Sequence, residues 1–493
     1  MLRSNRPSIA TIAAPVFAAG VFFIAPGCRM GPDYTRPEVA VPDGYRGADA
    51  MPDDASLADR PWWEVFDDPA LVALIDEALA NNFELSAAVA RIEQARGVRA
   101  QVGSALAPQV GYGAAVTRGR NEFLGTPNPN GGATATPIAA TVTAFWEIDL
   151  WGRVRRADEA ALANVLAAEE ARRGVLLSVV SETAQLYFLL LGLDVQVEVA
   201  RRNAESFGAS RALFQDRFDG GVDSELPVLR ARGAEASVAS AVPQLERDIA
   251  IVENAINALL GRGPQPIERP RSLASQTPPP EIPVGVPSDL LARRPDVRAA
   301  EQRVVAANAR VGAALADYLP SFSLTGALGR VSPELDAFSG GTGNLWSIGA
   351  GVFGPIFQGG RLKGQEAAAR AAFDEAVALY RQSMVAALRD VADALVVREK
   401  LDAAEREQAI AVESLRRAVV MSTDRFLSGL SSYNEVLEAQ QLLFPAEQAL
   451  ADTRTQRFVV LVQLYRALGG GWNLADDAWS STSAADAAAE TAP

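Results

Sequence analysis

At 493 residues the chain is long enough for several globular domains, yet it has no histidine and a single cysteine, Cys28. Ser-His-Asp triads, metal sites built from His and Cys, and Cys–His nucleophiles are thereby excluded. A formal net charge of -14 argues against a nucleic-acid partner, and an Ala-, Leu-, Val-, Arg- and Glu-rich composition leans towards long helices.

Residues 1–27 read as a secretory signal. Arg3 and Arg6 precede an apolar run from about Ile9 to Ile24 that Pro15 interrupts, and the run is shorter than the ~20 residues of a spanning helix. It ends in Ala25-Pro26-Gly27-Cys28, which resembles a bacterial lipobox, with Ala25 where Leu is usual and Pro26 beside the cleavage site. Cys28 is then either the lipidated first residue of the mature chain or a free or buried thiol behind an ordinary signal peptide. An unpaired cysteine at this place in an exported chain favours the lipid.

Residues 28–60 are rich in Pro, Gly and Asp and are expected to lie extended on other parts of the protein. A first structural unit follows over 61–263. Asp68-Pro69 marks a helix start, an N-cap followed by Pro in the first turn, and Leu71, Leu74, Ile75 and Leu79 share one apolar face. A second helix from Phe83 to Ala107 carries Leu85, Val89, Ile92 and Val98 before Pro108 stops it. Two strands are expected at about 109–119 and 137–149, separated by a loop rich in Gly, Asn, Pro and Thr. In the first, Val110, Tyr112, Ala114 and Val116 share a face. In the second, Ile138, Val142, Trp146 and Ile148 oppose Thr141, Thr143, Glu147 and Asp149.

A long helix over about 152–219 comes next. Ala160, Ala163, Ala167 and Ala171 recur at near-heptad spacing, followed by Leu176, Val180, Tyr187, Phe188 and Leu191, as side-by-side helix packing requires. Glu169, Arg172, Arg173, Arg201, Arg202 and Glu205 suit a wet face. Asp219-Gly220-Gly221 closes the helix. A return helix starts at Asp223 or Ser224, with Glu225 and Pro227 in its first turn, is broken or kinked at Pro243, and resumes to Gly261.

After a Pro-rich connector over 264–287, residues 288–474 replay the same order: a helix start at Arg293-Arg294-Pro295-Asp296, strands at about 320–330 and 345–357, a helix over about 361–427 and a closing Gly429. An offset of 208 residues separates Gly221 from Gly429 and Arg153 from Arg361. Self-similarity on this scale means two copies of one structural unit. The tail, 475–493, is mostly Ala, Asp, Ser and Thr and reads as disordered.

Alternation over about ten residues with an aromatic near the rim is the pattern of a transmembrane barrel strand. A single such hairpin fits a soluble hairpin with one wet face equally well. The second hairpin, with Phe322, Leu324 and Leu328 opposing Ser321, Ser323 and Thr325, and with Trp346, Ile348, Val352 and Ile356 opposing Ser347 and small residues, shifts the balance to the membrane. Four strands cannot close a barrel whose edges face lipid, so the chain must oligomerise.

The two-copy layout, Trp62-Trp63 with Asp68-Pro69, the run Leu290-Leu-Ala-Arg-Arg-Pro-Asp-Val-Arg-Ala-Ala-Glu301, and Phe426-Leu-Ser-Gly429 leading to Glu435-Val-Leu-Glu-Ala-Gln440 resemble the TolC-type outer membrane factors. The start Gly31-Pro-Asp-Tyr-Thr-Arg-Pro37 after Cys28 is similar to their lipoprotein, NodT-like branch. The resemblance implies a membrane protein, mainly α with a small β part. Each chain of a homotrimer would give four strands to a twelve-stranded outer-membrane β-barrel and its helices to a periplasmic tunnel. Such a subunit is a passive exit duct for drugs or small molecules, joined by a periplasmic adaptor to an inner-membrane pump of the RND type. It does no chemistry and needs no cofactor.

The resemblance also places the periplasmic aperture one to two turns after the second closing glycine, on Glu435 and Glu438, where the family often has Asp. Ser432 to Glu435 is equally a capping box, whereas the aperture is the favoured role of Glu438. The first-copy position matching Glu435 is Pro227, which puts a contribution of that copy in doubt. Gly221, Val222, Gly429 and Leu430 at the hairpin turns would meet the adaptor; Val222 and Leu430 packing their own turns is the plainer reading. The exit channel of a type I protein secretion system shares this architecture, and a non-channel periplasmic coiled-coil lipoprotein is the alternative of a different class.

Overall fold

A computed structural model describes residues 29–38, 42, 44–45, 66, 68–120, 134–276, 293–332, 338 and 343–470. The signal segment, Cys28, Trp62-Trp63, Leu290-Leu291, most of the strand-connecting loops, the rest of the Pro-rich connector and the tail lie outside them. The described elements are α1 (Pro69–Asn81), α2 (Phe83–Gly103), β1 (Gln109–Val116), β2 (Gly119–Arg120), β3 (Thr134–Ala135), β4 (Ile138–Ile148), α3 (Arg153–Asp219), α4 (Leu226–Ala239), α5 (Ala241–Leu259), α6 (Pro295–Ala316), β5 (Ser321–Ser332), β6 (Asn344–Phe353), α7 (Arg361–Leu427) and α8 (Tyr433–Ala467). The chain divides into two compact units. One holds residues 1–35, 97–163 and 305–374, and the other holds 36–96, 164–304 and 375–493.

In the first unit, β1, β4, β5 and β6 form one antiparallel sheet in that order. Its register sorts most side chains by face, apart from the polar row Ala114-Ala140-Arg330-Asn344 on the otherwise apolar one. Tyr112, Val142, Leu328 and Trp346 form one row across all four strands, and the rows Trp146-Leu324-Ala350 and Ile148-Phe322-Val352 lie on the same face. The opposite face carries Gly111-Thr143-Ala327-Ser347 and Glu147-Ser323-Gly351, interrupted by Phe145, Leu345 and Phe353. The apolar face is uncovered: Tyr112 is 92% and Trp346 73% exposed. Among the described residues neither β1 nor β6 pairs with a further strand. β6 stops at Phe353 rather than running on to about 357, because Gly354 and then Pro355, which has no N–H to donate, end the ladder.

Strand passes to helix through a tight junction. Gly152 has φ +76°, and the two carboxylate oxygens of Asp149 accept from the amides of Val154 (3.0 Å) and Arg155 (2.9 Å) at the start of α3. These amides have no intrahelical partner, so the carboxylate satisfies them. Ala160 and Ala163 pack on Ala306 and Ala309 of α6, where small side chains let the two backbones approach. A polar cleft of about 420 Å³ sits beside this junction, lined in part by Glu147, Arg153, Asp317 and Arg361.

α3 and α7 are each 67 residues long, ~100 Å at 1.5 Å per residue. The apolar stretch of α3 is mostly buried within the protein, so packing accounts for it without a lipid span. In the second unit Tyr187, Phe188 and Leu191 of α3 are buried, as are Ala160, Ala163 and Ala167 in its earlier turns; Ala171 is exposed. Asp68, 1% exposed, caps α1 by accepting from Ala70 N (2.9 Å) and also accepts from the Tyr187 hydroxyl (2.9 Å). α1 buries Leu71, Leu74, Ile75 and Ala78, with Leu79 only half-buried.

The Arg-Arg-Pro-Asp run has a structural use. Buried Arg294 donates to Asp296 (2.7 Å), Asp390 (3.2 Å) and the Ala467 carbonyl (3.1 Å), tying the start of α6 to α7 and to the end of α8. The first return helix is interrupted at Ser240 rather than at Pro243 itself. Pro243 stands in the first turn of α5, where its ring excludes the carbonyl of Ala239 from a helical rung. The second return helix, α8, runs straight through Pro445, forgoing only the rung to Gln441.

Two of the contacts that hold α8 against its neighbours show different means of packing. Gly192 of α3 faces Thr455, and a Cβ at Gly192 would stand 2.1 Å from the Thr455 hydroxyl. A helical glycine costs ~1 kcal/mol against Ala; here it permits the approach. Glu447, with a side chain 3% exposed, accepts from Asn203 (2.8 Å), Arg202 (3.2 Å) and Arg416 (2.6 Å), joining α3, α7 and α8. Arg202 thus serves an internal node as well as a wet face. Burial pushes the Glu447 carboxyl up, but the hydrogen bonds from Asn203 and Arg416 and the charge of Arg202 outweigh it and hold its pKa below 4.5.

Gly192→Ala is expected to cost ~1–3 kcal/mol through overpacking, read as a lowered Tm, and Thr455→Ala, which removes the two nearest atoms and leaves a Cβ at 2.9 Å, is expected to recover part of it; an unchanged Tm in Gly192→Ala removes the close-approach argument. Because the Glu447 pKa is depressed on folding, its contribution is present above pH 4.5 and is lost as pH falls through the lower folded value. Glu447→Gln should therefore flatten the acid limb of the stability curve, measured by thermal melts between pH 3 and 7 (about one unit apart).

Candidate functional site

The two turns between long helix and return helix are built alike from like residues. At the first, Gly221 has φ +71°, its N–H donates to Phe218 O (2.9 Å), and Val222 N–H donates to Arg217 O (2.9 Å). At the second, Gly429 has φ +73°, with Gly429 N–H to Phe426 O (2.9 Å) and Leu430 N–H to Arg425 O (2.8 Å). Both are Schellman caps, in which a left-handed residue lets two amides return to helix-end carbonyls. A glycine fits the left-handed position without a Cβ penalty.

The residue after each glycine usually folds back onto the helix. Here Val222 is 67% and Leu430 69% exposed, so neither packs its own turn. Both stand out from the hairpin ends, with Leu226, Leu229 and Leu427 also more than half exposed.

Behind the turns an aromatic cluster binds the hairpins together. Phe214 meets Tyr433 with ring centroids 4.0 Å apart and Phe426 at 5.6 Å, in a core completed by Val228, Ala231 and Val436. Arg217 lies over the Phe426 ring at 5.6 Å and pairs with Asp223, whose carboxyl its guanidinium holds below the usual range. Arg230 donates to Asn434 at 2.9 Å, linking the two return helices. Of these residues, the sequence points to Asp223 as a start of the return helix, which instead begins at Leu226; Phe214, Arg217 and Arg230 do not stand out in the sequence. The signal that finds Arg217 and Arg425 together is the 208-residue offset, which maps one cap onto the other.

Glu435 and Glu438 lie three residues apart on one exposed face of α8. The capping box does not form: Ser432 is the N-cap of α8, but its side chain makes no capping hydrogen bond, because the Glu435 amide takes the Ser432 backbone carbonyl (3.2 Å). The Glu435 carboxylate instead lies 3.8 Å from Arg425. The positions at the 208-residue offset are Pro227, at the start of α4, and Arg230. The first hairpin therefore presents no carboxylate at either matching place.

With this geometry in view, the likeness to known proteins is extensive. The sequence model of the outer membrane efflux protein family matches residues 74–262 and 286–470, one stretch for each copy of the repeat. The outer membrane protein OprJ of Pseudomonas aeruginosa is 35% identical over 476 residues, 93% of this chain and 97% of that one. The toluene efflux pump outer membrane protein TtgF of Pseudomonas putida is 33% identical over 457 residues, 91% and 95% of the two chains. Among solved structures, the outer-membrane channel OprN superposes with a TM-score of 0.84 at 32% identity, covering 90% of this chain and all of that one. The open state of the Neisseria gonorrhoeae MtrE channel gives 0.81 at 28%, covering 90% and 99%. Two copies of a hairpin joined to a rod-like helix, a sheet with one apolar face and two glycine-capped helix turns fit that likeness throughout, and the chain belongs to the outer membrane efflux protein family, as an outer membrane channel subunit of an efflux system that extends into the periplasm.

Proposed function

We propose that three copies of this chain join edge to edge, β6 of one to β1 of the next, into a twelve-stranded barrel, and that the assembly is a passive exit duct. The observation that carries this reading is the open four-stranded sheet with one apolar and one small, polar face. In hydrocarbon every backbone donor needs a partner, which bare edges on β1 and β6 lack until a second copy supplies it. The apolar rows through Tyr112, Val142, Leu328 and Trp346 then face lipid, and the Thr, Ser and Gly rows line the water-filled interior.

The partners on this reading are a periplasmic adaptor and an inner-membrane pump of the RND type, with Val222, Leu430, Gly221 and Gly429 at the adaptor contact. The exposed apolar side chains at the two turns support it, since a helix end surrounded only by water gains nothing from Val and Leu. Cys28 carries the lipid anchor. Small molecules are the cargo, a choice supported by relatives named for toluene and solvent efflux over the secretion reading.

Glu435 and Glu438 form the aperture. Three copies bring about six carboxylates together, a ring that draws cations and repels itself unless screened or clamped. The adjacent Arg425 is the clamp within each chain, and the repulsion favours opening when that clamp is released.

Neighbouring residues on opposite faces of β4 test the barrel. Val142→Arg is expected to abolish most outer-membrane trimer, since a cation at mid-depth on a lipid face costs ~2–4 kcal/mol, while Thr143→Arg is expected to assemble and change conductance. Equal behaviour of the two variants in membrane fractionation and planar bilayers sinks the face assignment. For the aperture, replacing Glu435 and Glu438 together by Ala should weaken cation preference and raise conductance at low salt. Bilayer recordings with unchanged ion selectivity would remove both residues from the aperture.

A further inference from the structure

Arg156, in the first turn of α3, has a side chain only 1% exposed, and neither the duct nor the aperture uses it. A buried guanidinium is ordinarily met by carboxylates. This one is met chiefly by main chain. Its Nε donates to Met30 O (2.9 Å) and one terminal nitrogen to Gly31 O (3.1 Å), Pro32 O (3.2 Å) and the Asp33 carboxylate (3.3 Å); the other reaches Glu159 (3.0 Å). The same short segment is held from other sides. Met30 N–H donates to the Trp151 carbonyl (3.2 Å), and Asn308 donates to Pro32 O (3.0 Å). Gly31 has φ +88°, and a Cβ on it would stand 2.5 Å from the Cα of Gly312; one on Gly312 would stand 2.6 Å from Met30 O. Donors from α3 and α6, the hollow at Gly312 and the accepting carbonyl of Trp151 thus converge on the backbone of residues 30–33.

We infer that Arg156, Asn308 and Gly312 form a socket for the chain's own amino-terminal segment, and that this socket fixes the level at which the lipid on Cys28 enters the membrane. The inference rests on the lipidation reading above. A chain advances at most ~3.6 Å per residue, so whatever Cys28 carries is tethered within roughly 7 Å of Met30, and Met30 is bonded to Trp151, three residues beyond the end of β4. The last apolar row of the sheet, Ile148-Phe322-Val352, lies at that end. Anchor and apolar face are held to one height, so acyl chains enter where the lipid-facing band begins. Releasing the socket puts the anchor on a slack tether and strips the buried Arg156 of its acceptors.

Two variants release the segment by different routes: Arg156→Gln removes the charge, and Gly31→Val displaces the segment with Arg156 in place. Each is expressed as the full chain, alone and combined with Cys28→Ser, in an efflux-deficient Gram-negative host. Detergent-resistant trimer in the outer-membrane fraction is measured together with the mass of the amino-terminal peptide. Both variants are expected to stay acylated and to lose trimer on the order of tenfold. Cys28→Ser alone is expected to show a similar loss, and the double variants no further loss. Losses that multiply in the double variants make Arg156 a fold-stabilising residue only and overturn the inference, as does wild-type trimer in Gly31→Val or in Cys28→Ser. A wild-type amino-terminal peptide without acyl mass overturns the lipidation reading by itself, separately from the trimer measurement.

Discussion

Unpaired backbone at the two edges of a four-stranded sheet is the constraint from which the rest of this protein follows. In water an open sheet with one apolar face could be covered by a helix, as in many two-layer folds. Here Tyr112, Leu328 and Trp346 remain uncovered, so the solvent for that face is lipid. Lipid supplies no hydrogen bonds, and the cost of leaving a ladder edge bare in it is several kcal/mol per group. A chain whose described residues offer one open four-stranded sheet has therefore placed its own completion in other copies of itself.

The helices meet a related constraint by different means. A 67-residue helix is too long for its whole apolar stripe to be buried in one compact unit, so its face must be matched turn by turn by other long helices. Small residues do this where backbones come close, as at Ala160 and Ala163 against Ala306 and Ala309 and at Gly192 against Thr455. Polar nodes do it where register must be fixed. Glu447 can be satisfied only when Arg202, Asn203 and Arg416 stand at one height, and Arg294 only when Asp296, Asp390 and Ala467 do. Apolar stripes alone tolerate sliding by a turn; these nodes do not.

What was legible from sequence follows the same division. The bounds of α3 and α7 can be read off because Pro and Gly punctuate the chain, and the faces of β1 and β4 because alternation has no other economical cause. The 208-residue offset exposes both caps at once. Features that depend on a tertiary partner stay hidden. Ser432 and Glu435 have the spacing of a capping box, yet the backbone carbonyl of Ser432 takes the amide that its hydroxyl needs. Pro243 breaks a helix and Pro445 does not, since the neighbours of α8 hold it across the missing rung. Arg156 reads as one of three charges in Arg153-Val154-Arg155-Arg156, and only the folded chain shows that it alone is buried.

The two copies of the repeat are alike where the backbone dictates and unlike where charge does. Both turns have the same glycine, the same pair of returning amides and an arginine two residues before the helix end. After them the copies part: Arg217 is engaged by Asp223 within its own turn, whereas Arg425 has Glu435 at 3.8 Å, and Arg230 stands where the second copy has Glu438. One hairpin is thus closed on itself electrostatically, while the other presents two carboxylates with a loosely held arginine beside them. The aromatic cluster of Phe214, Phe426 and Tyr433 and the hydrogen bond from Arg230 to Asn434 still tie the two hairpins to each other, so the copies share one backbone frame and differ in the charge that each presents at its end.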